Sequence, residues 1–250
     1  MLDPHELPLP RGQTAVLALL QRWATREGYS WFLVATTPEE KVLTTVEKLD
    51  GKFLVNLPPL SRHYRRQAGL PVAHLLLGPG PQGGRWPYAL LADKKLPGEA
   101  MKRLSPESPL RWLAYREGAW QPTYELVPDE RGGWTWRLVA EFHRALLEEA
   151  LHHARRGDWP RLVGHLRTLG NLPAYRGVWG QLQDIRKRVQ RLWGDTQLRS
   201  PDGQWKAPPW RAALEGWPKT PLSPVGMRLW VEAGEGRPRS LGEWLEGPCG

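Results

Sequence analysis

At 250 residues and 40% hydrophobic content, the chain is long enough for one large domain or two small ones with a core that needs no covalent staples. The single cysteine, Cys249, excludes an intramolecular disulfide and a cysteine-rich zinc site, and no run reaches the roughly 18 apolar residues of a membrane-spanning helix. The formal charge is +9, and ten Lys/Arg residues face three Asp between Arg155 and Arg199, a concentration that favours a polyanionic partner over an evenly solvated surface.

Residues 1–6 have no charged-then-apolar signal pattern, and the expectation is a protein of the reducing cytoplasm, without a membrane. In residues 13–27, Val16, Leu19, Leu20 and Trp23 recur at helical spacing and predict an amphipathic helix, with Gln21, Arg22 and Arg26 on its other side and Gly28 at its end. Residues 29–36 read as a buried strand. The β-branched Val42, Thr44, Thr45 and Val46 predict another, turned at Asp50-Gly51 into a partner over 52–56.

Pro58-Pro59 stops this hairpin, residues 60–69 read as a short helix, and residues 72–77 as a buried strand. A turn-rich stretch, 78–84, leads to a likewise apolar partner over 86–92, and residues 110–115 and 123–127 are further strands. From Trp134 the period becomes helical. Leu138, Phe142, Leu146 and Leu151 mark a helix to about Arg156, with a second over 159–169 and a third over 174–193 whose stripe is Val178, Leu182, Ile185, Val189 and Leu192. Pro208, Pro209, Pro218, Pro221 and Pro224 mark the return to a strand at 227–233.

This mixture predicts an α+β fold: an antiparallel sheet backed by helices, ferredoxin-like or RNA-recognition-motif-like, with a helical insertion. The α+β region spans 1–133, the basic helical insertion 134–200, and a return over 201–250 completes the core.

The return carries Gly234-Glu235-Gly236-Arg237-Pro238-Arg239-Ser240-Leu241-Gly242. Gly234 and Gly236 lack a Cβ and let a ligand approach the backbone, while Arg237 and Arg239 offer forked donors that match phosphate oxygens. This pattern, G-x-G-x5-G after a hydrophobic strand, resembles the C-terminal glycine-rich loop of the RAMP superfamily of CRISPR-associated proteins, in particular the endoribonucleases that process CRISPR RNA. The helical insertion is similar to the finger of the type IV variety. The resemblance rests on residues 227–245, with a looser match of size, charge and layout elsewhere.

The resemblance implies a ferredoxin-like fold and metal-free cleavage of a CRISPR repeat hairpin by attack of its own 2′-hydroxyl, leaving a 2′,3′-cyclic phosphate. It implies no cofactor, and a protein that stays on its product beside other effector subunits. It also implies a strand before the first helix; only residues 6–9 can supply one here, and Pro8 weakens it. In many relatives a histidine on or after the first helix is catalytic. Here that helix has none, and Arg22, Arg26 and Tyr29 occupy the region, with His63 of Arg62-His63-Tyr64-Arg65-Arg66 as the alternative acid or base. Arginine stays protonated, so Arg22 or Arg26 would stabilise charge on the phosphorane while water or an RNA group takes the proton.

Arg155, Arg156, Arg186, Lys187, Arg188 and Arg191 are the expected grip on the hairpin, and Gly234, Gly236, Arg237, Arg239 and Gly242 the expected hold on the backbone near the cut. Plainer readings stand beside these. Arg22 and Arg26 also suit a solvated helix face with Glu27 as partner, Asp184 can pair with Lys187 or Arg188, and His74 suits a satisfied core residue. Glu149 with His152 or His153 has metal-ligand spacing but nothing to complete a set, so no metal is expected. Two rival functions remain: a non-catalytic binding protein, either a RAMP backbone subunit or a plasmid replication accessory protein, and a DNA-nicking enzyme, for which His74 lacks a second histidine two residues away.

Overall fold

The computed structural model describes residues 3–195, 217–222, 229 and 239–246. The chain divides into two compact units, Met1–Trp134 with Pro224–Gly250, and Thr135–Ser223. The architecture is α+β, as the sequence predicts.

In the first unit, α1 (Gln13–Thr25) buries Ala15, Val16, Leu17, Ala18, Leu19, Leu20, Trp23 and Ala24. Gly28, at φ +80°, reverses the chain after it, and the Tyr29 N–H bonds back to the Trp23 carbonyl at 3.1 Å. The chain enters a four-stranded antiparallel sheet built from β1 (Trp31–Pro38), β2 (Ala73–Leu77), β3 (Arg85–Ala92) and β4 (Lys102–Arg103), in the order β2-β3-β1-β4. Strand β3 lies between β1 and β2, which are joined through helices: a split β-α-β unit of the ferredoxin-like kind. Residues 93–101 join β3 to β4 without a helix, a departure from that pattern.

Residues 42–53 are a helix, α2 (Val42–Phe53), where the sequence reading placed a strand and a hairpin turn. Val42, Val46, Leu49 and Phe53, spaced four, three and four, are all buried against the sheet face that carries Leu75, Leu77, Trp86 and Leu90. Burial of that stripe outweighs the strand preference of the β-branched residues. Gly51 sits exposed in the last turn, and Leu54, at φ 52°, ends the helix with its N–H on the Asp50 carbonyl.

Helix α3 (Pro59–Gln67) follows, with no buried residue. Strands β5 (Leu110–Arg116) and β6 (Ala119–Pro128) form a hairpin whose two-residue turn, Glu117-Gly118, takes positive φ at both positions.

Residues 7–9 meet residues 239–241. The Leu9 N–H bonds to the Arg239 carbonyl at 3.0 Å and the Leu241 N–H to the Leu7 carbonyl at 2.9 Å, so the expected N-terminal strand is a short extended segment, bridged at Pro8 to Ser240. Pro8 has no N–H to extend the ladder, while Leu7 and Leu9 are buried in the same core as Leu241. Helix α7 (Leu241–Leu245) starts at a capping box of Ser240 and Glu243.

In the second unit the expected helix from Trp134 is instead β7 (Trp134–Leu138) followed by α4 (Ala140–Arg156). A tight turn with Gly132 at φ +82° sets up the strand, and Thr135, Trp136 and Leu138 are buried beside exposed Arg137. Leu138 matched the helical phase only by coincidence. On α6 (Arg176–Asp195), the Gln181 side-chain amide accepts from the Leu138 N–H at 2.7 Å and donates to its carbonyl at 3.0 Å, as a neighbouring strand would. Gly177 lies so close to β7 that a Cβ there would sit 2.5 Å from the Trp136 carbonyl oxygen. With α5 (Trp159–Gly170), capped by Asp158, the helices bury Leu146, Ala150, Leu162, Leu166, Val178, Leu182, Ile185 and Val189.

Among the described residues, no helix is long and apolar enough to cross a membrane.

Candidate nucleic-acid interface

A set of charged contacts in the first unit lies where α1 ends, α3 passes, and β2 runs beneath. Glu27, just past α1, accepts from Arg22 Nε at 2.9 Å and from Arg62 Nη1 at 3.4 Å. Arg66 donates from Nη2 to the Glu27 carbonyl at 3.4 Å and from Nε to Asp93 at 3.2 Å, and its guanidinium lies 5.1 Å from the centre of the Tyr29 ring. One carboxylate thus ties arginines from two helices together. The Asp93 carboxylate also accepts from the Val72 N–H at 2.9 Å, anchoring the set to the entrance of β2.

Beneath the arginines, the His74 ring stacks on Trp23 of α1 at 4.4 Å, nearly parallel, and meets Tyr29 edge-on at 4.7 Å. Its tautomer follows from its partners. Asn56 Oδ1 already accepts the Leu75 N–H at 3.0 Å, while Asn56 Nδ2 donates to the Leu75 carbonyl at 2.9 Å, so Oδ1 faces His74 Nδ1 at 2.8 Å as an acceptor. Nδ1 therefore carries the proton, and Nε2 accepts from Arg62 Nη1 at 2.7 Å. Burial first, then the positive charges of Arg62 and Arg66, lower the His74 pKa to about 3, and the ring stays neutral. His74 is a satisfied core residue, as its apolar strand suggested.

Of the catalytic candidates, Arg22 is tethered to Glu27 with its side chain 61% exposed, and Arg26, at the C-terminal end of α1, is exposed. His63 is exposed on α3, its ring edge-on to Tyr64 at 5.9 Å. Arg22 and His63 belong to neighbouring helices of the same network, since Arg62 bridges them through Glu27.

In the second unit, Lys187, Arg188 and Arg191 are exposed on α6 and Arg186 is half-buried. Asp184 pairs with Arg188 at 2.9 Å, leaving a ridge that one acid does not neutralise. Arg155 and Arg156 are exposed in the last turn of α4. Glu149 lies 3.9 Å from His153 Nε2 and 3.4 Å from His165 Nδ1, but among the described residues no group of three or more His, Cys, Asp or Glu is arranged to hold a metal ion.

Gly234, Gly236 and Arg237 lie outside the described residues. Arg239 donates to the Glu243 carbonyl at 3.0 Å. Gly242 differs from the expected open loop. It is buried in α7, and a Cβ there would sit 2.9 Å from His5 Cβ, so glycine at this position serves close packing of the two chain ends.

Sequence named Glu27 only as a partner for Arg22 and Arg26, and it did not single out Asn56 and Asp93. They are scattered along the chain, and only the register of β2 with β3 and the path of α3 bring them together. A signal for α3 did exist: Arg62 and Arg66 stand one turn apart in a helix with too few apolar residues to fill a core-facing stripe.

The chain matches no family model, no curated protein and no solved structure.

Proposed function

We propose that this protein is a metal-independent endoribonuclease that binds and cuts a CRISPR repeat hairpin and remains on the product as a subunit of a ribonucleoprotein, in the cytoplasm and beside other effector subunits. The observation that carries this reading is the convergence of Arg22, Arg62 and Arg66 on Glu27, with Arg26 and His63 exposed on the same two helices. Cations held on rigid helices suit a phosphate, and a guanidinium aimed at a phosphorane stabilises the charge that develops there.

The reaction asks little else of the protein. The RNA 2′-oxygen attacks the adjacent phosphorus, its proton passes to water or to His63, the 5′-oxygen leaves and is protonated, and a 2′,3′-cyclic phosphate remains. Arg22 and Arg26 are the catalytic candidates. The α6 ridge of Arg186, Lys187, Arg188 and Arg191, with Arg155 and Arg156, would grip the hairpin phosphates by shape.

A second reading, a non-catalytic RNA-binding subunit, draws on the tether of Arg22 to Glu27, which occupies the guanidinium in a structural role. Incubating the full chain with a repeat-hairpin RNA in EDTA distinguishes them. Cleavage to a product ending in a cyclic phosphate supports the enzyme, tight binding without cleavage supports the subunit, and no binding at physiological salt overturns both.

A further inference from the structure

Helix α3 is built inside out. It buries none of its residues, and arginines fasten it to the body: Arg62 to Glu27, Tyr29 and His74, Arg65 Nε to the Pro71 carbonyl at 3.2 Å, and Arg66 to Asp93 and the Glu27 carbonyl. Its apolar residues face the other way. Leu60 is 64% exposed and Tyr64, one turn on, 60%, with Leu70 just beyond at 46%. An amphipathic helix ordinarily does the reverse, with apolar residues inward and charges in water. Single exposed apolar residues are common, but three on one short segment held outward by inward-facing arginines form an interaction surface.

The charge around this surface selects its occupant. Residues 58–71 contain three arginines and no acid, and exposed Lys94 is fixed alongside by a 2.7 Å bond to the Gly69 carbonyl. Half-buried Arg65 bonds through Nε to the Pro71 carbonyl, which leaves the donors of its terminal nitrogens for a ligand. Tyr64 is a flat aromatic with His63 edge-on beside it, interleaved with these cations. Aromatic faces alternating with guanidinium groups are what an unpaired nucleic-acid strand uses, a base stacking on the ring while its phosphates meet the cations. A second copy of the chain would bring like charge against like.

We propose that α3 is a docking surface for single-stranded RNA, with one base stacked on Tyr64, supported by Leu60 and Leu70, and the neighbouring phosphates on Arg65 and Lys94. This rests on the RNA-binding reading above and adds to it a strand outside the hairpin.

Two fluorescent RNAs test it: a blunt repeat hairpin, and the same hairpin with about eight unpaired nucleotides on either side. Wild-type protein should bind the flanked RNA more tightly. Tyr64→Ala should weaken flanked-RNA binding roughly tenfold and leave the blunt hairpin unaffected. Tyr64→Phe should restore the loss, and the exposed position should leave the urea midpoint unchanged. If Tyr64→Ala and Leu60→Ser bind both RNAs as wild type does, α3 is not an RNA surface. If those variants instead change the sedimentation coefficient of the RNA-free protein, the face belongs to a second copy and the proposal is overturned. If wild-type protein binds neither RNA, the RNA-binding reading itself fails, a result separable from the others because the blunt hairpin alone reports it.

Discussion

Arg62 donates from Nη1 to Nε2 of His74 at 2.7 Å, joining an almost uncovered helix to a buried strand. An imidazolium could not accept that bond, so the arginine's position requires a neutral ring, and the neutral ring gives the arginine a partner below the surface. His74, which its apolar strand marks as a core residue, is therefore a support for the cations above it.

The neutral state has a spectroscopic consequence. Two-bond nitrogen–proton correlation spectra should show His74 with its proton on Nδ1 and no titration between about pH 5 and 8. A ring that titrates in that range would contradict the bonding described.

It also has a thermodynamic one. The folded-state pKa of about 3 lies below the ordinary value of 6.5. Between those values the unfolded chain binds a proton that the folded chain refuses, so stability is full above the higher value and declines as pH falls toward the lower. Urea unfolding at several pH values should show His74→Gln with a shallower acid decline than wild type. Parallel declines would remove His74 as the cause.

Glu27→Ala should destabilise the protein by about 1–2 kcal/mol. The effect comes mainly from Arg62, whose side chain is 19% exposed, because Arg22 is largely in water. Glu27→Ala with Arg62→Ala should cost less than the two single changes added, as a double-mutant cycle in urea would reveal. Strict additivity would mean that the pair contributes nothing.

In the second unit, Gly177→Ala places a Cβ 2.5 Å from the Trp136 carbonyl oxygen. The clash is with backbone and has no flexible side chain to relieve it, so a loss of about 1–3 kcal/mol is expected. A thermal midpoint equal to wild type would show that α6 and β7 are not in this contact.

The basic ridge of α6 predicts a salt effect. Changing Lys187 and Arg191 to alanine should reduce the slope of log K against log salt for hairpin RNA by about 2, since each phosphate contact contributes nearly one unit. An unchanged slope would take α6 out of the interface.

The legible parts of this fold are those where local pattern and tertiary burial agree. The stripe of α1, the glycine after it, the β2–β3 pair and the Val178-Leu182-Ile185-Val189 stripe of α6 all read from spacing alone. Residues 42–53 misled because Val42, Thr44, Thr45 and Val46 favour strand locally, while the helix exists through Leu49 and Phe53, which complete a stripe against the sheet. At residues 134–138 the opposite occurred: Leu138 fell in phase with the next helix, and the Gln181 amide that completes β7 lies far along the sequence. The arginine network was half legible. Arg22 and its pairing with Glu27 are local, but Arg62 and Asp93 reach the same place only through the fold.

The proposed reaction, cleavage of RNA by its own 2′-hydroxyl under arginine control, is tested most directly by single-turnover cleavage in EDTA of a repeat hairpin carrying one 2′-deoxy nucleotide just 5′ of the mapped cut. The deoxy substrate should bind nearly as well as the unmodified one and remain uncut, and Arg22→Ala should slow cleavage of the unmodified hairpin by roughly 10²–10³-fold. Cleavage of the deoxy substrate at the normal rate, or unchanged cleavage by both Arg22→Ala and Arg26→Ala, would contradict the mechanism.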